Sequence, residues 1–375
     1  MSTARSTVGI VGVGLIGGSL GMCLSAKADY QVVGWDVSSE SLDTAVRIGA
    51  ISGRSSDLRA LCAQSDVVVI ATPISVALEL LPTVLSSVRP DCVVTDVCST
   101  KQRIVDLALT CAAGDAAPVF IGGHPMAGSE RQGISAADPY LFENALYVLT
   151  PPFHRWEENP RMRRAVETLS GLIKQTGARL AIIPPEEHDF MAAVVSHLPH
   201  VVAAALVETL DSYHMEYPSV SSMAAGGFRD VTRVASGNPE LWTDILLSNA
   251  ENVSETINRF SQILSEFGLL LQRGSLGALA GALERAAEIR SSIPQNLKGL
   301  TAPLHELVVA INDEPGKISR VTSLIAAEGI NIKDIEILKI REGEGGTLRL
   351  GFSSPSDCEA AQSVLAANGY GVRRR

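Results

Sequence analysis

A glycine-rich turn near the N-terminus constrains this chain more than any other feature. Residues 8–11 are a β-branched run, Gly12-x-Gly14-x-x-Gly17 follows, residues 19–27 read as a helix, and residues 30–35 read as a second strand ending at Asp36. A strand, this spacing, a helix and an acid closing the next strand form the context of a dinucleotide-binding turn. Gly12 permits the tight turn, Gly14 lets a pyrophosphate approach the backbone, and Gly17 lets the helix pack on the strand, with Leu15 and Ile16 inside the same turn. The helix N-terminus carries the anion. Asp36 can accept hydrogen bonds from both ribose hydroxyls and would repel a 2′-phosphate. Val37 and Ser38 bring no arginine to offset this, so the pattern favours NAD over NADP. Ala71-Thr72-Pro73 closes a later strand on the same carboxyl edge and places Thr72 and Pro73 at the cofactor crevice.

Further strand-like runs lie at 67–71, 92–95, 119–121 and 145–149, separated by helical segments, which predicts a parallel sheet covered on both faces. Residues 161–175 read as a helix and 179–183 as a last strand. Beyond Pro184 the pattern becomes all helical, over 186–196, 199–213, 239–267 and 274–290. An α/β half followed by an all-α half leaves a cleft suited to a small ligand. Residues 291–303, with two prolines, an asparagine and a glycine, read as a linker. The remainder, 304–310, 316–328, 331–341, 346–352, 355–368 and 370–373, reads βαββαβ, a ferredoxin-like unit.

Charge narrows the partners. With 31 Lys+Arg against 41 Asp+Glu the net charge is -10, which disfavours nucleic acid and anionic membrane surfaces. No uninterrupted apolar run reaches the ~18 residues of a membrane span, and residues 1–8 lack the basic and apolar regions of a leader. The six cysteines are scattered without a CxxC pair and read as reduced thiols, so the expected location is cytoplasmic.

The chemistry is expected where two more strands end. Asp96-Val97-Cys98-Ser99-Thr100-Lys101 is a strand end turning into a helix, and Gly122-Gly123-His124-Pro125-Met126-Ala127-Gly128 follows another strand. A histidine held between glycines and a proline suits a general base, and Ser99 could hydrogen-bond the same hydroxyl or orient the imidazole. A neutral base implies that kcat/KM falls as His124 protonates below neutrality. In the helical half, Ser196-His197-Leu198-Pro199-His200 and Gly226-Gly227-Phe228-Arg229-Asp230-Val231-Thr232-Arg233 offer polar groups. An arginine fork binds carboxylates, which marks this half as acid-binding, with Arg233 the stronger ligand and Arg229 able to pair with Asp230. Trp242 suits the core as well as a site. His197 and His200 with Glu186, Glu187 or Asp189 could face a metal, but no ligand motif is present and no metal is expected. His154, His188, His214 and His305 are assigned no role.

Together these motifs resemble the prephenate dehydrogenases that carry a C-terminal ACT domain. The resemblance spans essentially the whole chain, with Gly-x-Gly-x-x-Gly and Asp36, Asp96-x-x-Ser99-x-Lys101, Gly-Gly-His124-Pro-Met-Ala-Gly, Ser-His197-Leu-Pro-His200 and Phe-Arg-Asp-x-Thr-Arg233 in the family's order. It implies an α/β chain with a Rossmann domain at 1–183, an all-α dimerisation and substrate domain at 184–291, a linker at 292–303 and a ferredoxin-like ACT regulatory domain (α+β) at 304–375. It implies NAD-dependent oxidative decarboxylation of prephenate to 4-hydroxyphenylpyruvate by a homodimer. His124 matches the histidine that takes the ring hydroxyl's proton, and Ser99 the serine linking that hydroxyl, the histidine and the nicotinamide. Arg233 matches the arginine on a substrate carboxylate, and His200 a histidine placing the substrate side chain. His197 and Trp242 match positions in or beside the site, and Glu130 an acid near its mouth.

The C-terminal resemblance implies tyrosine as a feedback effector, with Asp313, Gly316, Asn331 and Ile332 as contacts. An ACT unit that only pairs subunits is the alternative. Arogenate dehydrogenase and a non-catalytic sensor of NAD and an amino acid are the competing functions. A 3-hydroxyacid dehydrogenase is disfavoured, because His197 and His200 stand where its lysine would be.

Overall fold

Strand β1 (Ser6–Val11) and strand β2 (Tyr30–Trp35) flank the glycine turn and helix α1 (Leu15–Ser25), so the turn sits where a parallel βαβ unit needs it. The computed structural model describes residues 5–111, 117–128, 131–152, 156, 158–293, 304–312, 314–341 and 345–374. The chain divides into two compact units, residues 1–284 and 285–375.

The first unit continues with α2 (Ser39–Arg47), β3 (Gly53–Arg54), α3 (Leu58–Gln64), β4 (Val67–Ile70), α4 (Ile74–Ser87), β5 (Val93–Asp96), α5 (Gln102–Cys111) and β6 (Val119–Pro125). After it come β7 (Leu146–Thr150), α6 (Pro160–Gln175) and β8 (Arg179–Ile182). Ser38 and Asp57 cap α2 and α3 by accepting hydrogen bonds from the Ser41 and Ala60 amides. The sheet order is β3-β2-β1-β4-β5-β6-β7-β8. Leu24, Val69, Ile121 and Leu169 pack in one apolar cluster and Ile70, Leu81, Val94 and Ile104 in another. That is why β4, all Val and Ile, shows no polar alternation.

The wholly parallel sheet expected from the sequence is corrected at its far edge. β7 pairs antiparallel with β6, and β8 runs parallel to β7. A parallel return needs a crossover of a dozen or more residues, usually a helix. The described residues between β6 and β7 hold only a single 3₁₀ turn at Ile134–Ala136.

The helical region opens with α7 (Pro185–Ala192), which passes through a π turn at Ala193–His197 into α8 (Leu198–Ser212). The sequence predicts a break before Pro199. Instead a bond from Leu198 N to Ala193 O carries the helix into Pro199, where a missing N–H is tolerated in a first turn. Pro185–Ser212 is thus one 28-residue helix, long and apolar enough by length and composition to cross a membrane, although no uninterrupted apolar run in the sequence is that long. Buried His188, Asp189, His197 and His200 interrupt it. Then follow α9 (Gly226–Thr232), α10 (Pro239–Ser248), α11 (Ala250–Gln272) and α12 (Leu276–Ser292). The single helix expected over 239–267 splits at Asn249, whose backbone leaves the helical region at φ -125 and ψ 29. Asp244 accepts from both N and Oγ of Ser75 at 3.0 Å, and Ser248 Oγ meets Thr100 Oγ1 at 2.9 Å, so α10 lies on the carboxyl edge of the sheet.

The second unit contains β9 (His305–Ile311), α13 (Lys317–Ala327), β10 (Asp334–Arg341), β11 (Gly345–Phe352), α14 (Pro355–Ala367) and β12 (Val372–Arg374). Its antiparallel sheet has the order β10-β11-β9-β12, the ferredoxin-like arrangement, around Leu307, Val309, Ile325, Leu348, Phe352 and Leu365. Apart from its first two residues, the linker expected at 292–303 lies outside the described residues. All six cysteines are free thiols.

Candidate active site

The strand order reverses direction between β1 and β4, and open α/β sheets bind ligands in the crevice outside the strand ends at that point. The glycine turn lies there. Gly12 has φ +95, and a Cβ on it would press on the Ala71 carbonyl at 2.6 Å. A Cβ on Gly17 would strike the Gly12 carbonyl at 2.0 Å, so α1 can lie against the turn only without one. Gly14 differs: a Cβ there would meet nothing within 4 Å, and as the N-cap residue of α1 it provides no side-chain cap. Uncapped amides facing open space fit a pyrophosphate. Leu15 and Ile16 open the helix.

Asp36 accepts from the Val13 and Ser38 amides through different oxygens, both at 2.9 Å. Each oxygen keeps a lone pair for a ribose hydroxyl. Thr72 and Pro73 lie just past β4, and the buried Thr72 Oγ1 has no hydrogen-bond partner. Such an orphan costs about 1–3 kcal/mol unless a ligand satisfies it. The residues present fit the dinucleotide.

His124 lies near the carboxyl end of β6, beside β5, and Ser99 is half-buried in the bend after β5. A buried ion pair fixes this corner. Lys101 Nζ bonds Asp96 and donates to the Gly123 carbonyl at 2.7 Å. Asp96 accepts from the Gly123 amide at 3.0 Å and the Cys98 amide at 2.9 Å. The residue before the candidate base is thus held from both its N–H and its C=O. Burial pushes the Cys98 thiol well up, so it stays protonated.

The sequence gives His188 no role, but the fold places it against His124. His124 Nδ1 meets His188 Nε2 at 2.8 Å with the rings edge to face, and His188 Nδ1 meets Asp189 Oδ1 at 2.8 Å. Asp189 also accepts from the amides of Lys101 (2.7 Å) and Gln102 (2.9 Å), capping α5. Burial, with His188, Lys101 and His197 nearby, holds the His124 imidazole well below the ordinary histidine range.

His197 and His200 approach from the next turns of the same helix. Asn249 Nδ2 donates to the Asp189 carbonyl at 2.7 Å and faces His197 Nδ1 at 3.2 Å. Burial, with His188 and His200 adding repulsion, lowers His197 to about 4, against the pull of Asp189. His200, also lowered by burial, stacks on Trp242 with ring centroids 3.6 Å apart. Its buried Nδ1 has no partner, a second orphan in this region. A Cβ on Gly237 would strike Trp242 at 2.6 Å, so glycine leaves room for the stack.

Arg233 is exposed at the start of a 3₁₀ turn after α9. Asn238, which caps α10, donates to Gln132 Oε1 at 3.2 Å and ties the loop after His124 to the helices. Glu130 and Asp313 lie outside the described residues. In the second unit Gly316 has φ +85 and precedes α13, Asn331 is exposed, and Ile332 packs on the core.

Two family models match the chain: "Prephenate dehydrogenase, nucleotide-binding domain" over residues 20–182 and "Prephenate dehydrogenase, dimerization domain" over 184–285. A prephenate dehydrogenase from Bacillus subtilis (strain 168) is 36% identical over 371 residues, covering 98% of this chain and 97% of that protein. The crystal structure of prephenate dehydrogenase from A. aeolicus in complex with hydroxyphenyl propionate and NAD+ aligns with TM-score 0.69 at 30% identity, covering 78% of this chain and 100% of that one. Synechocystis arogenate dehydrogenase aligns with TM-score 0.67 at 30% identity, covering 77% and 100%.

Proposed function

The chain belongs to the prephenate dehydrogenase family, and from that premise we propose how its residues divide the work. The reaction is NAD-dependent oxidative decarboxylation of prephenate to 4-hydroxyphenylpyruvate, a step of tyrosine biosynthesis. The observation that carries this reading is 36% identity over 98% of the chain to a prephenate dehydrogenase, met here by a half-buried histidine, its pKa held down by desolvation, where the fold places a ligand.

NAD, when bound, supplies the hydride acceptor. The amides at the start of α1 hold its pyrophosphate, Asp36 its ribose, and Thr72 and Pro73 line the crevice. His124 accepts the proton of the ring hydroxyl as the carbon bearing it is oxidised, and Ser99 orients that hydroxyl. Loss of the ring carboxylate as CO2 follows from aromatisation and needs no further base. Arg233 holds the substrate's side-chain carboxylate. His200, backed by Trp242 and His197, offers its unpartnered Nδ1 to the same side chain, and Glu130 matches the family's acid near the pocket mouth.

The ferredoxin-like unit is the ACT domain in this reading. Tyrosine is its effector, held by Asp313, Gly316, Asn331 and Ile332, and the working enzyme is a cytoplasmic homodimer.

The test follows NADH absorbance with NAD and prephenate, then with arogenate, then with added tyrosine. Rapid NADH from prephenate, suppressed by tyrosine, is the expected result. NADH from arogenate alone would transfer the mechanism to the amino analogue. NAD binding without turnover of either substrate would overturn the catalytic reading in favour of a sensor.

A further inference from the structure

The strongest unassigned feature is the chain of polar groups behind His124, which reaches helix α5. Three N–H groups converge on the carboxylate of Asp189: the amides of Lys101 and Gln102 and the ring of His188. A carboxylate so placed can only accept, and the start of a helix favours its negative charge. His188 must therefore carry hydrogen on Nδ1. In a neutral ring that leaves a lone pair on Nε2, 2.8 Å from His124 Nδ1. His124 then donates from Nδ1, and its own lone pair is on Nε2.

We propose that the Asp189–His188 pair is a positioning device that fixes His124 as the Nδ1–H tautomer and takes up the proton the reaction releases. This rests on the reading of His124 as the base. The balance is simple. The substrate hydroxyl gives its proton to His124 Nε2, and the His124 Nδ1 proton passes to His188 Nε2. His188 becomes an imidazolium beside the Asp189 carboxylate, while His124 ends neutral with hydrogen on Nε2. No electron pair leaves the two rings. The positive charge thus rests on the ring that touches a carboxylate rather than on one that touches only another imidazole. Asp189 is anchored independently of the histidines, because its oxygens cap α5 and its carbonyl accepts from Asn249. The buried His197, which faces Asn249 through Nδ1, approaches from the same helix without joining the relay.

The tautomer is read directly by nitrogen-15 NMR of the full-length, histidine-labelled protein at neutral pH, with His124→Asn assigning the signal. The Nδ1–H form is expected for His124, and the Nε2–H form would overturn the proposal. No substrate is needed, so this outcome is separable from the prephenate assay. Kinetics supply the second arm. His188→Leu removes both the acceptor and the proton store, and should lower kcat about 100-fold or more, with KM for NAD and prephenate within about threefold. His188→Gln keeps a carbonyl that can accept from His124 and should recover part of that loss. Equal kcat in both variants, whether high or low, would overturn the relay. Should His188→Leu fail to fold, the tautomer measurement decides alone.

Discussion

At the residue scale, the environment of His124 changes what its sequence position suggests. An ordinary histidine titrates near 6.5, and a base of that kind would lose half its neutral form there. Burial and the neighbouring His188, Lys101 and His197 disfavour the cation in the fold, so the pKa moves down. The neutral form needed for proton abstraction then persists to more acid pH, and the plateau of kcat/KM should extend below 6.5. The fall just below neutrality expected from sequence moves with it. The measurement is a pH profile with prephenate, in wild type and in His124→Asn. That variant should lose about 10²- to 10⁴-fold in kcat, the usual contribution of a positioned base, with little change in KM. An acid limb centred at or above 6.5 in wild type would show that the imidazole is not desolvated. Near-full turnover in His124→Asn would remove the residue from the base role.

At the element scale, the site depends on strand ends being locked together. Lys101 and Asp96 are both fully buried, and between them they hold β5, the start of α5 and the backbone of Gly123 on β6. Removing one partner of a buried pair typically costs about 3–5 kcal/mol, because the other charge is left uncompensated. Lys101→Met should therefore lower the unfolding midpoint strongly. It should also depress kcat by letting Gly123, and His124 after it, shift. A melting temperature within a degree or two of wild type would mean that Asp96 finds another partner. The sequence announced this corner, since Asp96 and Lys101 stand in a motif with Ser99, but it gave no sign of what the lysine touches. The same division holds elsewhere. Glycine spacing and Asp36 made the nucleotide turn legible because local backbone geometry dictates those residues. His188 escaped because its meaning lies in a contact with His124, 64 residues away. The antiparallel β7 escaped for a related reason: periodicity marks a strand but not its direction. The split at Asn249 was hidden because apolar spacing continues across it, and the buried side-chain bond to the Asp189 carbonyl is visible only in three dimensions.

At the scale of the whole molecule, the helical region poses a packing problem that one chain does not solve. Helix α12 has no buried residue, and α11 buries only Val253 and Thr256. Leu264 and Leu271, one heptad apart on α11, are 59% and 64% exposed, and Leu276 is 84% exposed. A run of large apolar side chains on long helices is costly in water at about 25 cal/mol per Å², and it marks a surface meant for another protein surface. Residues 184–285 match a domain described as a dimerization domain, so the occupant proposed for this face is a second copy of this chain. Obligate homodimer interfaces bury roughly 2,000–5,000 Å² and resemble a core cut in half. The full-length protein should therefore have the mass of a dimer by light scattering at micromolar concentration. Each Glu placed on this face adds a charge that must be desolvated on pairing, and in a twofold interface it appears twice. The double variant Leu264→Glu, Leu271→Glu should shift the mass to the monomer. Activity should fall with it, by more than tenfold, because α11 connects through Asn249 to the Asp189 carbonyl and to His197. A double variant that keeps the dimer mass would place the pairing surface elsewhere on the chain. A monomeric variant with full activity would show that the site is complete within one subunit and owes nothing to the pairing of its helices.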